Sequence, residues 1–303
     1  FLGKPKIEKL VFAITPDASV RFQKLKTGEC HLANEPSPSD IASMKNHGKL
    51  KVLEREGLNI GYLGLNTEKA PLNKVLVRKA IAHALNRESY LKAIYLNMAS
   101  KAVNPIPPGL WSYVKNLQQH QYNPKLSREL LKKAGFPQGF STELWTLPVS
   151  RPYNPAGKKM GEMMQADLAK VGIKVKLVSY DWPTYLDKTS KGEHAMAQLG
   201  WTADIADPDN FLGLLLGCDA VKTGSNTARW CDKKYNDVIE EARSAVDRKQ
   251  RVRLYEKAQQ IFKGQVPWVT LAHARVYKVM QKNVSGFKID PLGGNIFREV
   301  ELK

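Results

Sequence analysis

The chain has 303 residues, of which 43% are hydrophobic and 25% are charged, a composition typical of a soluble globular protein with one large or two ordinary domains. No apolar run approaches the length of a bilayer span. Lysine and arginine exceed the acidic residues by 47 to 29, giving a formal net charge of +18. These basic residues are scattered singly or in pairs, so we attribute them to solubility rather than to a nucleic-acid partner.

In the first half of the chain, apolar periodicity and glycine or proline punctuation predict alternating strands and helices. This alternation favours an α/β fold with mixed sheets and flanking helices. Residues 104–113 are too rich in proline for regular structure and are expected to form a long connection. The predicted elements are a strand at 10–14, a helix at 17–27, a strand at 30–33, a helix within 37–48, strands at 49–53 and 59–66, and helices at 74–85 and 87–95.

The second half continues the same alternation. Pro124 after Asn123 marks the start of a helix, and Gly172 is expected to end another. The predicted elements are a helix at 123–135, a strand at 142–147, a helix at 158–171, strands at 173–177 and 195–200 around a helix at 183–190, helices at 211–216, 233–246 and 248–262, a strand at 266–272, and strands with turns over 276–303.

Three cysteines bear on the compartment of the protein. A polar loop with glycine and serine separates Cys218 from Cys231, a spacing compatible with a local disulfide. The alternative is two buried thiols, because cysteine is often buried. An oxidised pair would indicate an extracytoplasmic compartment and would leave Cys30 without a partner. The chain begins without a methionine, and we expect it to be processed or to be a piece of a longer protein.

Residues 201–211 read Trp-Thr-Ala-Asp-Ile-Ala-Asp-Pro-Asp-Asn-Phe and concentrate three carboxylates in a basic chain. They join a predicted strand to a predicted helix, a position where binding groups are often displayed. Asp209 or Asn210 is expected to cap the helix, with Pro208 stiffening the turn. A calcium loop does not fit, since neither a glycine nor a distal glutamate is in register. Asp204 lies too far from the helix to cap it, so we interpret Asp204 as a contact for a cationic ligand group.

A candidate for the opposite charge follows the strand predicted at 142–147. Arg151 precedes Pro152 on a loop that is rich in proline, a poor place for a residue that only improves solubility. If this strand lies parallel to the strand at 195–200, Arg151 and Asp204 face one crevice at the edge of the sheet, the usual ligand position in open α/β folds. The alternative is two unrelated surface charges.

Several motifs together resemble one family. Residues 151–155 read Arg-Pro-Tyr-Asn-Pro, residues 200–204 read Gly-Trp-Thr-Ala-Asp, and residues 207–211 read Asp-Pro-Asp-Asn-Phe. Ser225, Asn226 and Trp230 lie between the cysteines, and residues 290–293 read Asp-Pro-Leu-Gly. In this order they resemble the dipeptide-binding proteins of bacterial ABC importers, within the peptide and nickel class of periplasmic binding proteins. The likeness extends through almost the whole chain.

The resemblance implies a type II-like periplasmic binding protein with two lobes that close around the ligand. Residues 1–56 and 276–303 would belong to the first lobe, and residues 57–275 would form the second. The chain would then be roughly the C-terminal three fifths of such a protein, without the N-terminal portion of the first lobe. The absent portion would supply a partner for Cys30 and could offset the basic excess.

In the family, the dipeptide binds with its amino terminus on an aspartate and its carboxylate on an arginine, which match Asp204 and Arg151 by motif. Tyr153 and Trp201 would line the pocket, or alternatively belong to the core as aromatic residues. The implied protein is a monomer of the Gram-negative periplasm that delivers short peptides to an inner-membrane ABC permease. It requires no cofactor, metal or nucleic acid.

The sequence departs from the dipeptide pattern at Ala203, Ile205 and Ala206. Relatives in this group bind haem or glutathione, and glutathione is itself a charged peptide. His273, at the end of an apolar strand, is interpreted as structural rather than as a haem ligand. An enzyme is the rival class, but the chain lacks the sequence signatures of hydrolases, nucleotide-binding loops and metalloproteases. Nucleic-acid binding depends on the charge alone.

Overall fold

The structure is a computed structural model that describes residues 3–118 and 120–303. Six of the eleven α-helices within these residues begin after an aspartate or asparagine whose side chain accepts a backbone amide of the first turn. Asp17, for example, accepts a hydrogen bond from the Val20 amide at the start of the first helix, and Gly28 ends that helix in a left-handed conformation. The helices are α1 (Ala18–Thr27), α2 (Ile41–Lys45), α3 (Val75–Ala84), α4 (Arg87–Ala93), α5 (Pro124–Lys133), α6 (Gly157–Ala169), α7 (Trp182–Ser190), α8 (Asp209–Leu216), α9 (Asp219–Thr223), α10 (Lys233–Ser244) and α11 (Arg248–Gln265), with a 3-10 turn at Pro38–Asp40.

Strands and helices alternate most regularly over residues 99–216, as the sequence predicts for an α/β fold. The strands are β1 (Leu32–Asn34), β2 (Leu50–Glu56), β3 (Asn59–Leu65), β4 (Ala99–Lys101), β5 (Phe140–Trp145), β6 (Ile173–Val178), β7 (Met196–Thr202), β8 (Trp268–Gln281), β9 (Val284–Ser285), β10 (Lys288–Ile289), β11 (Asn295–Ile296) and β12 (Glu301–Leu302).

The chain divides into two compact units. The smaller unit consists of Phe1–Gly57 and Ala274–Lys303, and the larger unit consists of Leu58–His273. The prediction that residues 1–56 with 276–303 and residues 57–275 are two lobes that close around a ligand remains a prediction.

A mixed sheet forms the centre of the larger unit. β3 pairs antiparallel with both β7 and β8, whereas β5 lies parallel to β6 and to β7. Every residue of β3 is buried, which explains why this strand reads as a nearly continuous apolar run. The rings of Tyr62 in β3 and Trp268 in β8 stack with centroids 3.8 Å apart, and Trp268 is among the largest fully buried side chains. This packed sheet gives the loops at its edge a rigid support.

In the smaller unit, β1 and β2 pair antiparallel with the second part of β8. Its core combines apolar side chains of β8 with those of the C-terminal tail. The buried members of this core are Val276, Met280, Val284, Phe287, Ile289 and Val300. The sequence prediction that the strand beginning near residue 266 ends at residue 272 is wrong, because β8 continues to Gln281 and finds pairing partners along that length.

The predicted strand at 10–14 is also wrong for this chain. Within the described residues this segment belongs to no strand, and Leu10, Val11, Phe12 and Ile14 are exposed. An apolar run needs a neighbouring strand to satisfy its backbone groups, and the described part of the chain pairs none with it.

The disulfide is confirmed. Cys218 and Cys231 are joined, 13 residues apart in sequence, and Cys30 is a free, half-buried thiol. Asn226 supports the loop from inside, because its side-chain amide donates to the carbonyl groups of Gly217 and Trp230 at 3.3 and 2.8 Å. Oxidation of this pair is consistent with an extracytoplasmic compartment.

Candidate functional site

The acidic loop joins β7 to α8 in the larger unit, and two of its three carboxylates are neutralised. Asp207 contacts the guanidinium of Arg251 at 3.1 Å, and Asp209 contacts that of Arg243 at 3.0 Å. Both arginines lie on the helical pair α10 and α11, which therefore holds the loop from one side. These two carboxylates are engaged within the protein and are poor candidates for ligand contacts.

The capping prediction for this loop is wrong in its residues. Neither Asp209 nor Asn210 caps α8 with its side chain, since the first bonds to Arg243 and the second faces back toward β7. Pro208 occupies the position before the first helical residue. Asp207 stabilises the turn that leads into the helix, because its Oδ1 accepts the amide of Asp209, two residues later, at 3.0 Å.

Asp204 differs from its two neighbours. Its side chain is exposed, and it forms no salt bridge with any residue that the structure describes. The backbone at this point is nevertheless fixed, because the Asp204 amide donates to Asn210 Oδ1 at 3.0 Å and the Ala203 amide donates to the Leu58 carbonyl at 2.8 Å. A carboxylate with no salt bridge to a described residue, on a fixed backbone, is suited to receive a cation.

Trp201 stands at the end of β7, next to this carboxylate. It is half-buried, and its indole Nε1 donates to the same Asn210 oxygen at 3.0 Å. The ring is therefore oriented by a hydrogen bond while part of its surface remains accessible. This arrangement fits a pocket wall better than a core residue.

The arginine lies on a tight turn after β5. Arg151 and Asn154 exchange backbone hydrogen bonds of 3.1 and 3.0 Å, which closes residues 151–154 into a compact turn. The Arg151 guanidinium lies over the ring of Trp182, 5.0 Å from its centroid, a distance typical of cation–π contacts. In the described part of the chain, Arg151 has no carboxylate partner.

Tyr153 anchors this turn to the sheet. Gly61 and Gly200 face each other in the pairing of β3 with β7, and the Tyr153 ring and carbonyl lie directly on this pair of glycines. A Cβ at Gly200 would stand 2.2 Å from Tyr153 Cδ2, and one at Gly61 would stand 2.3 Å from the Tyr153 oxygen. The Tyr95 hydroxyl also donates to that oxygen at 2.6 Å. Tyr153 is only 8% exposed, so it contributes more to the turn than to an open pocket wall.

The two loops leave the sheet at the same edge. β5 and β7 are parallel neighbours, with Leu144 opposite Met196 and Trp145 opposite Ala197. The carboxyl ends of parallel strands meet at one edge, which is where open α/β folds bind ligands. The strand before Arg151 thus lies parallel to the strand before Asp204, as the sequence analysis required, and both loops start from this edge.

Gln198 and Asn154 connect the arginine turn to β7, and sequence reasoning missed both. The fully buried Gln198 Oε1 accepts the Leu147 amide at 3.2 Å and the Asn154 side-chain amide at 3.1 Å. A polar residue in the middle of an otherwise apolar strand is the signal that could have identified Gln198, since buried polar groups are normally hydrogen-bonded.

Two buried histidines near the sheet are structural. His273 Nδ1 bonds to the Asn59 carbonyl at 2.8 Å, and His194 Nε2 bonds to the Thr227 carbonyl at 2.7 Å. Burial lowers the pKa of each to about 4, so both rings are neutral at pH 7. Among the residues described, no group of three or more His, Cys, Asp or Glu side chains could hold a metal ion, and no helix is long and apolar enough to cross a membrane.

Comparison with known families gives the chain its place. The family model described as "Bacterial extracellular solute-binding proteins, family 5 Middle" matches residues 1–223, more than two thirds of the chain. The chain belongs to this family. The resemblance found in the sequence motifs is thereby confirmed, as is the α/β fold of a periplasmic binding protein.

Individual relatives of this family-5 protein carry different ligand names. The dipeptide-binding protein of Escherichia coli strain K12 is 45% identical over 300 residues, covering 99% of this chain and 56% of the relative. Heme-binding protein A of Haemophilus influenzae is 38% identical, covering 99% and 55%. A crystal structure of the dipeptide binding protein of Pseudoalteromonas sp. SM9913, in complex with Met-Leu, superposes with a TM-score of 0.90 at 33% identity, covering 96% and 57%. The chain thus spans little more than half the length of these relatives.

Proposed function

We propose that this family-5 chain is the ligand-binding part of a periplasmic solute-binding protein that captures dipeptides and delivers them to an inner-membrane ABC permease. Asp204 would receive the peptide's amino terminus, and Arg151 would receive its carboxylate. The observation that carries this proposal is the pair of opposite charges on loops from one sheet edge, each held in place by its surroundings and neither paired with a charge among the described residues.

Charge-assisted hydrogen bonds would make Asp204 and Arg151 the main anchors of the peptide. A hydrogen bond to a charged group contributes roughly 1.5 to 3 kcal/mol. Two such contacts would supply a substantial share of the about 8 kcal/mol that micromolar affinity requires. Two fixed charges of opposite sign also select for ligand length, because only a peptide with the right separation of its termini reaches both.

The two aromatic residues would have separate tasks. Trp201 is half-buried beside Asp204 and would form a wall against the ligand. Tyr153 is packed on Gly61 and Gly200, so it would act by supporting the Arg151 turn. The ligand names of the relatives agree with a short peptide, although one relative of similar coverage is named for haem.

The test uses the protein with its whole natural chain. Met-Leu is expected to raise the melting temperature by several degrees at millimolar concentration, because a ligand that binds only the folded state stabilises it. N-acetyl-Met-Leu-amide has the same side chains without either charge and is expected to give almost no shift. An equal shift with both compounds would show that the two-charge mechanism is wrong.

Native mass spectrometry of the protein as purified addresses the remaining ligand classes. A dipeptide, glutathione and haem differ plainly in mass, so a co-purified ligand is identified directly. A dipeptide mass agrees with the proposal, whereas stoichiometric haem would contradict it.

A further inference from the structure

The side chain of Asn210 contacts both predicted ligand residues of the acidic loop. Its Oδ1 accepts two hydrogen bonds of 3.0 Å, one from Trp201 Nε1 and one from the Asp204 backbone amide. Its Nδ2 lies 3.5 Å from Asp204 Oδ2. One side-chain amide therefore contacts the Trp201 indole, the Asp204 backbone and the Asp204 carboxylate.

These contacts fix the orientation of the amide. Two N–H donors converge on Oδ1, and an amide nitrogen at that position would face both of them without an acceptor. Nδ2 must therefore point toward the Asp204 carboxylate. This N–H engages one side of the carboxylate and leaves the rest available to a cation.

Asn210 is itself held firmly. It is 9% exposed and lies in the first turn of α8, where its backbone amide donates to the Asp207 carbonyl at 3.1 Å. The flanking carboxylates Asp207 and Asp209 are bonded to Arg251 and Arg243. Farther along α8, the Tyr235 hydroxyl donates to the Leu212 carbonyl at 2.9 Å. The Asn210 amide thus holds the exposed Asp204 side chain in a fixed position relative to the packed helix α8.

We propose that Asn210 is a positioning residue that sets the orientation of Asp204 and Trp201 and thereby determines selectivity for a free amino terminus on the ligand. The proposal rests on the proposed function, since it assumes that Asp204 receives an ammonium group. A carboxylate held in place before binding gives up less conformational entropy when the ligand arrives.

A purely structural asparagine would behave differently. Its removal would lower stability and would weaken all ligands to the same degree. Removal of a positioning residue weakens the ligand with the charged amino terminus and leaves the acetylated ligand nearly unchanged. The ratio of the two dissociation constants therefore separates the two roles.

The experiment measures the Kd of Met-Leu and of N-acetyl-Met-Leu by titration calorimetry, in the whole natural chain and in its Asn210→Ala variant. The selectivity ratio is expected to fall about tenfold, which corresponds to the loss of about one hydrogen bond's contribution. Asn66→Ala is the matched control, because Asn66 is fully buried and its side-chain amide donates to the Gly192 and His194 carbonyls away from the acidic loop. It is expected to lower stability and keep the ratio.

Asn210→Asp separates the two halves of the amide, because it keeps an oxygen acceptor for both N–H groups but replaces Nδ2 with an oxygen that faces Asp204 Oδ2. The variant is expected to keep the Trp201 indole ¹H–¹⁵N resonance near its wild-type position, whereas Asn210→Ala shifts it, and to lose selectivity as Asn210→Ala does, because the two carboxylates repel each other. If the wild type shows selectivity and Asn210→Ala keeps it, the positioning role is wrong while the proposed function stands. If the wild type itself shows none, the proposed function fails.

Discussion

The two loops at the sheet edge hold their charges by different means. The turn of Arg151 is fixed by packing and backbone bonds, with Tyr153 on a pair of glycines and Gln198 tying the turn to β7. The loop of Asp204 is fixed by polar side chains. Asn210 accepts the Asp204 amide, and two arginines bind the other two carboxylates of the loop.

This difference follows from the charges themselves. The turn presents the single charge of Arg151, which lies over the Trp182 ring, so a packed turn is enough to hold it. The acidic loop concentrates three carboxylates, and unpaired like charges in close proximity repel each other. Arg243 and Arg251 neutralise two of them and leave Asp204 as the charge available to a ligand.

A methyl group added at Gly200 should disrupt the packing that supports the Arg151 turn. Of the substitutions proposed, it should reduce stability the most. In Gly200→Ala the new Cβ would meet Tyr153 Cδ2 at 2.2 Å and the Ile60 carbonyl oxygen at 2.5 Å, and the backbone oxygen cannot rotate away. We expect a loss of about 3 kcal/mol in the free energy of unfolding, the cost typical of overpacking, measured by urea denaturation.

Gly264→Ala is the control for that substitution. Gly264 lies in α11, where an added Cβ has no neighbour within 4 Å. Alanine is expected to stabilise the protein there by up to about 1 kcal/mol. Equal effects at the two glycines would mean that Tyr153 does not pack as described.

Removal of the polar link between β7 and the arginine turn should have a smaller effect. Gln198→Leu leaves the buried Leu147 amide without its acceptor and should lower the free energy of unfolding by about 2 kcal/mol. It should also weaken binding of Met-Leu in the whole natural chain, since the Arg151 turn loses one of its supports.

Gln259→Leu offers a matched comparison. Gln259 is equally buried and hydrogen-bonded, but to Asn104, Ser112 and Val114, away from the Arg151 turn. A similar loss of stability with unchanged affinity is expected. If Gln198→Leu also leaves the affinity unchanged, Gln198 does not support the Arg151 turn.

The effect that is smallest at neutral pH, and that grows only as the solution is acidified, is a pH dependence centred on His194, which packs on Trp145 of β5 and lies just before β7. Burial lowers its folded-state pKa to about 4, whereas the unfolded value is about 6.5. Between these values the unfolded state binds a proton that the folded state does not. Stability should therefore fall as pH falls from about 6.5 to 4, by up to about 1.4 kcal/mol per pH unit for this group.

Comparing the wild type with His194→Gln isolates the contribution of His194 to this pH dependence. Burial also lowers the pKa of His120 and His273, so the wild-type slope contains several histidines of the same sign. In His194→Gln the slope of unfolding free energy against pH should become shallower by one proton. Identical slopes in the two proteins would show that His194 does not contribute to the pH dependence of stability.

The sequence predicted the alternating elements and the pairing of Cys218 with Cys231, because glycine, proline and cysteine leave local signals. It also identified Asp204 and Arg151 as candidates, because an acid in a basic chain and an arginine between prolines are locally unusual. It could not predict the hydrogen-bond partners of Gln198 or the arginines that bind Asp207 and Asp209. Those partners lie on elements that only the tertiary fold brings together. The strand predicted at 10–14 failed for the related reason that strand formation depends on a partner.

The central claim is that Asp204 and Arg151 recognise opposite ends of one peptide. Titration calorimetry in the whole natural chain can test it directly by pairing Asp204→Asn and Arg151→Gln with Met-Leu, N-acetyl-Met-Leu and Met-Leu-amide. We expect Asp204→Asn to weaken binding of Met-Leu and of Met-Leu-amide by about 2 kcal/mol or more, because the ammonium loses its charge partner, and to leave binding of the acetylated ligand almost unchanged. Arg151→Gln should weaken the acetylated ligand and spare the amide. If each variant weakens all three ligands equally, the two side chains do not read the two termini and the account is contradicted.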